Sequence, residues 1–183
     1  YIRTASMLLE EEHYEQLREY FHQFAKESSE KMQAPMCYCK NMSVDAILHY
    51  YAGQLEDAGV SFHHSIEVPQ KMKITDLDIC RIFGNLLENA VRAVKADKET
   101  EEPYVNCICR VRMGKLLIDI ENSYSGEVRR NGDVFYSTSH SGQGIGTASV
   151  SKTAEKYGGY ADFEASEGVF RANVFIPLEN SGS

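Results

Sequence analysis

The stretch FGNLLENAVRAV, residues 83–94, joins a helical core pattern to two polar side chains. Asn85 and Asn89 are four residues apart, so a helix places them on one face. Asn is a mediocre helix former, because its side chain competes for backbone hydrogen bonds. Two of them one turn apart indicate either a hydrogen-bonded pair inside the core or a binding site. The helix itself is predicted by apolar residues at helical spacing: Phe83, Leu86, Leu87, Ala90, Val91 and Val94.

Composition limits the class of protein. The chain has 183 residues, of which 43% are hydrophobic, enough for one domain with an appendage. Its formal net charge of -8 argues against a nucleic-acid partner, which requires a basic surface. No apolar run approaches the roughly 20 residues that span a bilayer. Five cysteines at irregular spacing predict reduced thiols, and the two C-x-C pairs match the common zinc spacings poorly.

The chain divides into two predicted units. Residues 1–34 contain no Gly or Pro and carry apolar residues at helical spacing, which predicts a helical segment. Residues 35–180 form the second unit, in which hairpin-paired strands and neighbouring helices predict an α+β two-layer sandwich. Its predicted elements are a helix from a Ser43 cap to Ala58, a strand in VSFHHSIEV, a helix from Thr75 or Asp76 to Lys95, strands Tyr104–Met113 and Lys115–Glu121, a helix Thr147–Tyr157, and strands Tyr160–Ala165 and Val169–Ile176.

A glycine-containing loop precedes the last predicted helix. The polar stretch Ser123–Ser141 is predicted as a loop, and its length of nearly twenty residues favours a lid. In SHSGQGIGTASV, Gly142, Gly144 and Gly146 alternate just before the helix. Alternate glycines let backbone N–H groups approach an anion, and the helix N-terminus adds a favourable dipole. The spacing matches neither a P-loop nor the Rossmann fingerprint.

The order of these features resembles the GHKL (Bergerat) ATP-binding fold, whose superfamily includes gyrase-type and MutL-type ATPases and sensor histidine kinases. NLLENAVRAV resembles the histidine-kinase N-box, and GQGIGTASV resembles the G2 box. YCKNMSVDAILHYYAGQLEDAGVSF resembles the stretch before the N-box in the AgrC-type, peptide-sensing subfamily. The resemblance covers residues 36–178. It implies the catalytic domain of a two-component histidine kinase that binds ATP and Mg²⁺.

The resemblance also implies roles for individual residues. Asn89 would lend its carbonyl oxygen to Mg²⁺, while Asn85 would face the γ-phosphate as the catalytic candidate. Arg92 lies on the same helix face and suits a phosphate. The remaining candidates for nucleotide binding are Ala93, Asn122, Gly126, His140, Gly142, Gly144, Ile145, Gly146 and Thr147.

The adenine-reading box departs from the family pattern. Where D-x-G-x-G is usual, this chain has Asn122-Ser-Tyr-Ser-Gly126, so Asp is replaced and only the second Gly remains. An Asn carbonyl still accepts a hydrogen bond from the adenine amino group, without the charge assistance worth about 1 kcal/mol. The AgrC-type subfamily shares this substitution. The alternative is that Asn122 is only a turn residue after a strand.

Asn85 bears on the type of reaction. GHKL ATPases carry Glu at this position, where it activates water as a general base, and an Asn amide cannot take that proton. Transfer to a histidine is therefore favoured over hydrolysis. His13 and His22 lack the acidic residue that follows an acceptor histidine, so the acceptor is predicted upstream and this fragment is predicted to bind ATP without autophosphorylating. A GHKL ATPase and a degenerate nucleotide-binding or dimerisation module remain as alternatives.

The family resemblance further implies the setting of the domain. Residues 1–34 would be part of the dimerisation helices, through which the full protein forms a homodimer. A response regulator would be the protein partner. The domain would lie on the cytoplasmic side of a membrane-anchored sensor.

Overall fold

The computed structural model describes residues 37–70, 72–125, 129–131, 134–136 and 145–178, with backbone alone at the two short central segments and at Ile145. The chain divides into two units, Tyr1–Cys37 and Tyr38–Ser183. The helical segment predicted over residues 1–34 lies outside the described residues.

The second unit contains three helices and a five-stranded sheet among its described residues. The helices are α1 (Met42–Asp57), α2 (Asp76–Ala96) and α3 (Ile145–Lys156). The strands are β1 (Ser61–Ile66), β2 (Tyr104–Arg112), β3 (Lys115–Ser123), β4 (Arg129–Asn131), β5 (Val134–Tyr136), β6 (Tyr160–Ser166) and β7 (Val169–Pro177). The main sheet has the order β1-β2-β3-β7-β6, and only the β1–β2 pair is parallel.

The core lies between one face of the sheet and the helices. Alternate residues of the central strands are buried, as a half-covered sheet requires. All six apolar residues that predicted α2 are buried, from Phe83 to Val94, because α2 packs on β2 and β3. The predicted α+β two-layer sandwich is therefore confirmed.

The boundaries of the predicted helices and strands agree with the structure to within two residues, and two of the differences change the role of a residue. Asn41, not Ser43, caps α1, and its Oδ1 accepts a hydrogen bond from the Val44 backbone N–H at 3.0 Å. Strand β3 continues to Ser123, because β7 pairs with its whole length, placing Asn122 opposite Phe170. Asn122 is therefore a strand residue, and its interpretation as a turn residue is wrong.

The segment predicted as one long loop contains regular structure. Strands β4 and β5 form an antiparallel pair in which Asn131 is opposite Val134. Three-residue strands are too short to show a reliable alternation, although the Asn131–Gly132 dipeptide is a common hairpin turn. The prediction of an unbroken loop over Ser123–Ser141 is wrong for these six residues.

Two further predictions concerned reduced thiols and the lack of a membrane-spanning segment. All five cysteines lie among the described residues, and none of them forms a disulfide. Within the described residues, no helix is long and apolar enough to cross a membrane.

Candidate functional site

The two asparagines of α2 face the beginning of α3. A Cβ placed on Gly146 would lie 3.2 Å from Asn89 Nδ2 and 3.4 Å from Asn85 Oδ1. The first separation is tighter than an ordinary contact and the second is at the edge of one, so a side chain at residue 146 would require the Asn89 amide to shift by a few tenths of an ångström. The structure thus brings together three residues that the sequence analysis assigned to one site from two separate motifs.

Both asparagine side chains bond to atoms of α2 itself. Asn85 Nδ2 donates to the Arg81 carbonyl oxygen at 2.7 Å, and Asn89 Oδ1 accepts from Arg92 Nη2 at 2.6 Å. Both asparagines are half-buried. They do not form the hydrogen-bonded pair inside the core that was the alternative to a binding site.

Other predicted residues extend this junction of α2 and α3. Arg92 is exposed, and Ala93, four residues after Asn89, is half-buried. Thr147 follows Gly146 in the first turn of α3 and is also half-buried. The structure thus brings Asn85, Asn89 and Gly146 together and bonds Arg92 to Asn89, while Ala93 and Thr147 adjoin these residues in sequence.

Asn122 lies on the sheet face that the helices cover. It follows Leu116, Ile118 and Ile120 in the alternation of β3 and is only 1% exposed. Its Nδ2 donates to the Ser123 carbonyl oxygen at 2.9 Å. An amide nitrogen only donates, so Oδ1 is the atom that can accept a hydrogen bond from an adenine amino group.

The rest of the predicted glycine loop lies outside the described residues. This applies to Gly126, His140, Gly142 and Gly144, and to the side chain of Ile145. The backbone of Ile145 begins α3. A helix N-terminus at this point carries the N–H groups and dipole that favour an anion.

Two carboxylates near the motifs are directed elsewhere. Glu121 belongs to the opposite face of β3 from Asn122, where its carboxylate accepts hydrogen bonds from Arg171 Nε at 2.9 Å and Tyr104 Oη at 3.0 Å. Burial opposes its charge, but these hydrogen bonds outweigh burial and lower the pKa of Glu121. Glu88 is exposed, and its charge adds to burial in raising the pKa of Tyr51 on α1. Neither carboxylate accompanies the asparagine pair.

A buried carboxylate that the sequence analysis missed holds the other end of α3. Asp78 is 2% exposed, and its Oδ2 accepts hydrogen bonds from Lys156 Nζ at 2.6 Å and Tyr157 Oη at 2.7 Å. Arg81 Nη1 donates to Oδ1 at 3.0 Å. Burial disfavours the charge, but the hydrogen bonds from Lys156, Tyr157 and Thr75 prevail and lower the pKa of Asp78. The Thr75-x-x-Asp78 spacing of a helix cap was the available signal.

The donors present are compatible with magnesium but not with a protein-built metal centre. Among the described residues, no three His, Cys, Asp or Glu side chains lie close enough to hold a metal ion. Mg²⁺ bound with phosphates keeps several waters and needs only one or two protein oxygens. The Asn89 Oδ1 atom, beside the close approach at Gly146, fits that limited role.

A family comparison identifies the fold family. The profile described as the GHKL domain matches residues 73–177, more than half of the chain. The chain belongs to the GHKL domain family. The matched range of this GHKL chain includes α2, the whole β2–β3 hairpin and α3, and therefore every described residue of the candidate site. A comparison with curated proteins gave no significant match.

Solved structures agree with this fold. The catalytic domain of histidine kinase ThkA, in a nucleotide-free form, matches with a TM-score of 0.58 and 17% identity, over 74% of this chain and 90% of that one. The Acinetobacter baumannii histidine kinase AdeS matches with a TM-score of 0.57 and 14% identity, over 96% and 83%. The Erythrobacter litoralis EL346 blue-light activated histidine kinase has a TM-score of 0.53 and 13% identity, over 74% and 42%. At these identities the likeness concerns the fold.

Proposed function

We propose that this GHKL chain is the ATP-binding catalytic domain of a sensor histidine kinase of the AgrC type, with a histidine as phosphoryl acceptor. The observation that carries the proposal is the contact of Gly146 with both asparagines. That contact places the N-terminus of α3, which favours an anion, beside two amide side chains of α2. An adenine nucleotide with its phosphates at this junction accounts for the pairing.

Each residue of the site has a distinct part in this proposal. Asn89 Oδ1 would hold Mg²⁺, which would supply positive charge against the phosphates. The Arg92 guanidinium, now bonded to that oxygen, exchanges it for a phosphate. Asn85 orients the γ-phosphate, and Asn122 Oδ1 accepts a hydrogen bond from the adenine amino group.

Among the described residues, the carboxylates beside the two motifs favour kinase over ATPase, because neither has a hydrogen bond to the asparagine pair. Hydrolysis needs a general base to take a proton from water, whereas a neutral imidazole already carries a lone pair. Residue 85 is Asn, and Glu121 and Glu88 are directed away from the asparagine pair. Steady ATP turnover by the chain would instead support the ATPase alternative.

The domain bounds and partners complete the proposal. Residues 35–180 are the catalytic domain, and residues 1–34 belong to the dimerisation region. In the full protein these helices form a homodimer, which phosphorylates a response regulator. The full protein is anchored in a membrane in this proposal. The family resemblance of the sequence supports these bounds, partners and setting.

Radiolabel from γ-labelled ATP tests the assignment. We expect the 183-residue chain to bind Mg-ATP but to acquire no label, because it lacks an acceptor motif. A longer chain that includes the upstream helices should acquire acid-labile, alkali-stable label on a histidine, and Asn85→Ala should abolish it. Label on His13 or His22 of the shorter chain would contradict the predicted position of the acceptor.

A further inference from the structure

Three consecutive residues after Asn122 are each held by a different element. Ser123 Oγ accepts a hydrogen bond from the Tyr104 backbone N–H at 3.0 Å, which ties it to β2. The Tyr124 backbone N–H donates to the Gly168 carbonyl oxygen at 2.8 Å, in the β6–β7 turn. Ser125 Oγ donates to Asp97 Oδ1 at 2.5 Å. The path of the chain beyond β3 is therefore fixed at every residue up to Ser125.

The third of these contacts differs from the other two. It joins two side chains, and Asp97 is the residue that caps the C-terminal end of α2. The α2 helix also carries Asn85 and Asn89, so Asp97 connects the helix of the asparagine pair to the segment that follows Asn122.

Asp97 is held in place by its own loop. Its Oδ1 accepts from the backbone N–H groups of Glu99 at 2.9 Å and Thr100 at 3.1 Å, while Oδ2 accepts from Thr100 Oγ1. Burial opposes the charge, but the hydrogen bonds from Ser125, Thr100 and the Glu99 backbone together prevail and hold the pKa of Asp97 well below its usual range. The carboxylate is therefore oriented and ionised at neutral pH.

The local sequence explains why such a connection is needed. The adenine box of this chain has Tyr124 where the family pattern has its first Gly, so the turn has lost a residue that tolerates many backbone conformations. A charge-assisted hydrogen bond between two otherwise distant elements restricts the same segment by other means.

We propose that Asp97 is a positioning residue that acts through Ser125 to hold the segment beyond Asn122 against α2, and so sets the affinity for adenine nucleotides. This inference rests on the proposed nucleotide binding. Asp97 itself does not touch the nucleotide. Its effect is transmitted to Asn122 through two intervening residues.

A double-mutant cycle with ADP as the probe tests the connection. Titration calorimetry on the 183-residue chain should show about fivefold weaker ADP binding for Asp97→Ala and for Ser125→Ala, as expected for the loss of one hydrogen bond. The double variant should bind no more weakly than Asp97→Ala. Thr100→Val is the matched control, because it removes a hydrogen bond to Asp97 and leaves the one from Ser125.

The same substitution made in the Asn122→Ala variant tests whether Asp97 acts by positioning Asn122 or by a general structural role. In Asn122→Ala protein, Asp97→Ala should have no further effect on ADP affinity, since the contact through which it acts is gone. Additive losses there, or an equal loss in Thr100→Val, would overturn the inference. Ser125→Ala retains the local bonds of Asp97, so it reports on the connection even if Asp97→Ala folds poorly. Unchanged affinity in Ser125→Ala would overturn this inference alone, whereas no ADP binding by the wild type would overturn the proposed function as well.

Discussion

Helix α3 meets α2 at both of its ends, and the two meetings differ in chemistry. At its start, Gly146 lies against the amides of Asn85 and Asn89. At its end, Lys156 and the following Tyr157 bond to the buried carboxylate of Asp78. The first contact consists of neutral, half-buried groups, whereas the second surrounds a charge with donors.

The two ends of α3 therefore differ in whether their hydrogen-bond partners can be exchanged for a ligand. A buried carboxylate must keep its donors, because leaving it unpaired costs several kcal/mol. Asn89 Oδ1 instead accepts a hydrogen bond from Arg92, an exposed arginine of its own helix. Arg92 can exchange that bond for one to a phosphate with little loss, which leaves Oδ1 available to a metal ion. We therefore expect changes at the Asp78 end to alter stability and changes at the asparagine end to alter ligand affinity.

Asp78→Ala should have the largest effect. The variant loses a helix-capping interaction and several charge-assisted hydrogen bonds, so the free energy of unfolding should fall by about 2 kcal/mol. Urea denaturation at neutral pH measures the change. Lys156→Ala is the matched control and should cost much less, because its ammonium group is mostly exposed and Asp78 keeps its other donors. Equal losses in both variants would contradict a carboxylate-centred contact.

Gly146→Ala should give the opposite result. The added Cβ would displace the Asn89 amide and fill the space beside Asn85, and we expect about tenfold weaker Mg-ATP binding. Stability should change little, since Ala is a better helix residue than Gly. Titration calorimetry and urea denaturation on the same protein test both parts, with Ser149→Ala one turn later as a control. A loss of stability without a change in Mg-ATP affinity would show that this contact stabilises the fold and does not bind the nucleotide.

The contribution of Asp78 to the free energy of unfolding should decrease at acidic pH. Its pKa is lower in the folded protein than its ordinary value of 3.8, so the native state binds fewer protons than the unfolded state. The contribution of Asp78 is therefore present above that value and is lost as the pH falls through the folded-state pKa. The difference in unfolding free energy between wild type and Asp78→Asn should narrow from pH 6 toward pH 3. A difference that stays constant with pH would show that the charge is not what stabilises the contact.

Local patterns explain which parts of the fold the sequence predicted. The apolar spacing of α2 specifies its buried face, and Thr75 was one of two predicted caps, so that helix was predicted nearly to its ends. Strand β3 extends to Asn122 and Ser123 only because β7 pairs with them, and no nearby residue encodes that pairing. Strands β4 and β5 are too short for their alternation to be read.

The same distinction holds for the candidate site. Asn85, Asn89 and Gly146 belong to two short motifs, so their meeting was predicted by resemblance to the GHKL fold. The Asp78 contact joins residues that are far apart in sequence: Lys156 is 78 positions from Asp78, and Tyr157 is 79 positions from it. Each of those residues, taken alone, reads as an ordinary charged or aromatic position on a helix surface. Long-range contacts of this kind have no periodic pattern in the sequence.

Nucleotide titration with and without Mg²⁺ tests the central claim most directly. Calorimetry should show that the wild-type chain binds ATP more tightly with Mg²⁺ than in EDTA. Asn89→Ala should lose most of that metal-dependent gain and little of the metal-free affinity, because it removes a metal ligand. Asn122→Ala should weaken binding equally in both conditions, because it removes an adenine contact. The account would be contradicted if the wild type bound no ATP, or if Asn89→Ala lost the same affinity with and without Mg²⁺.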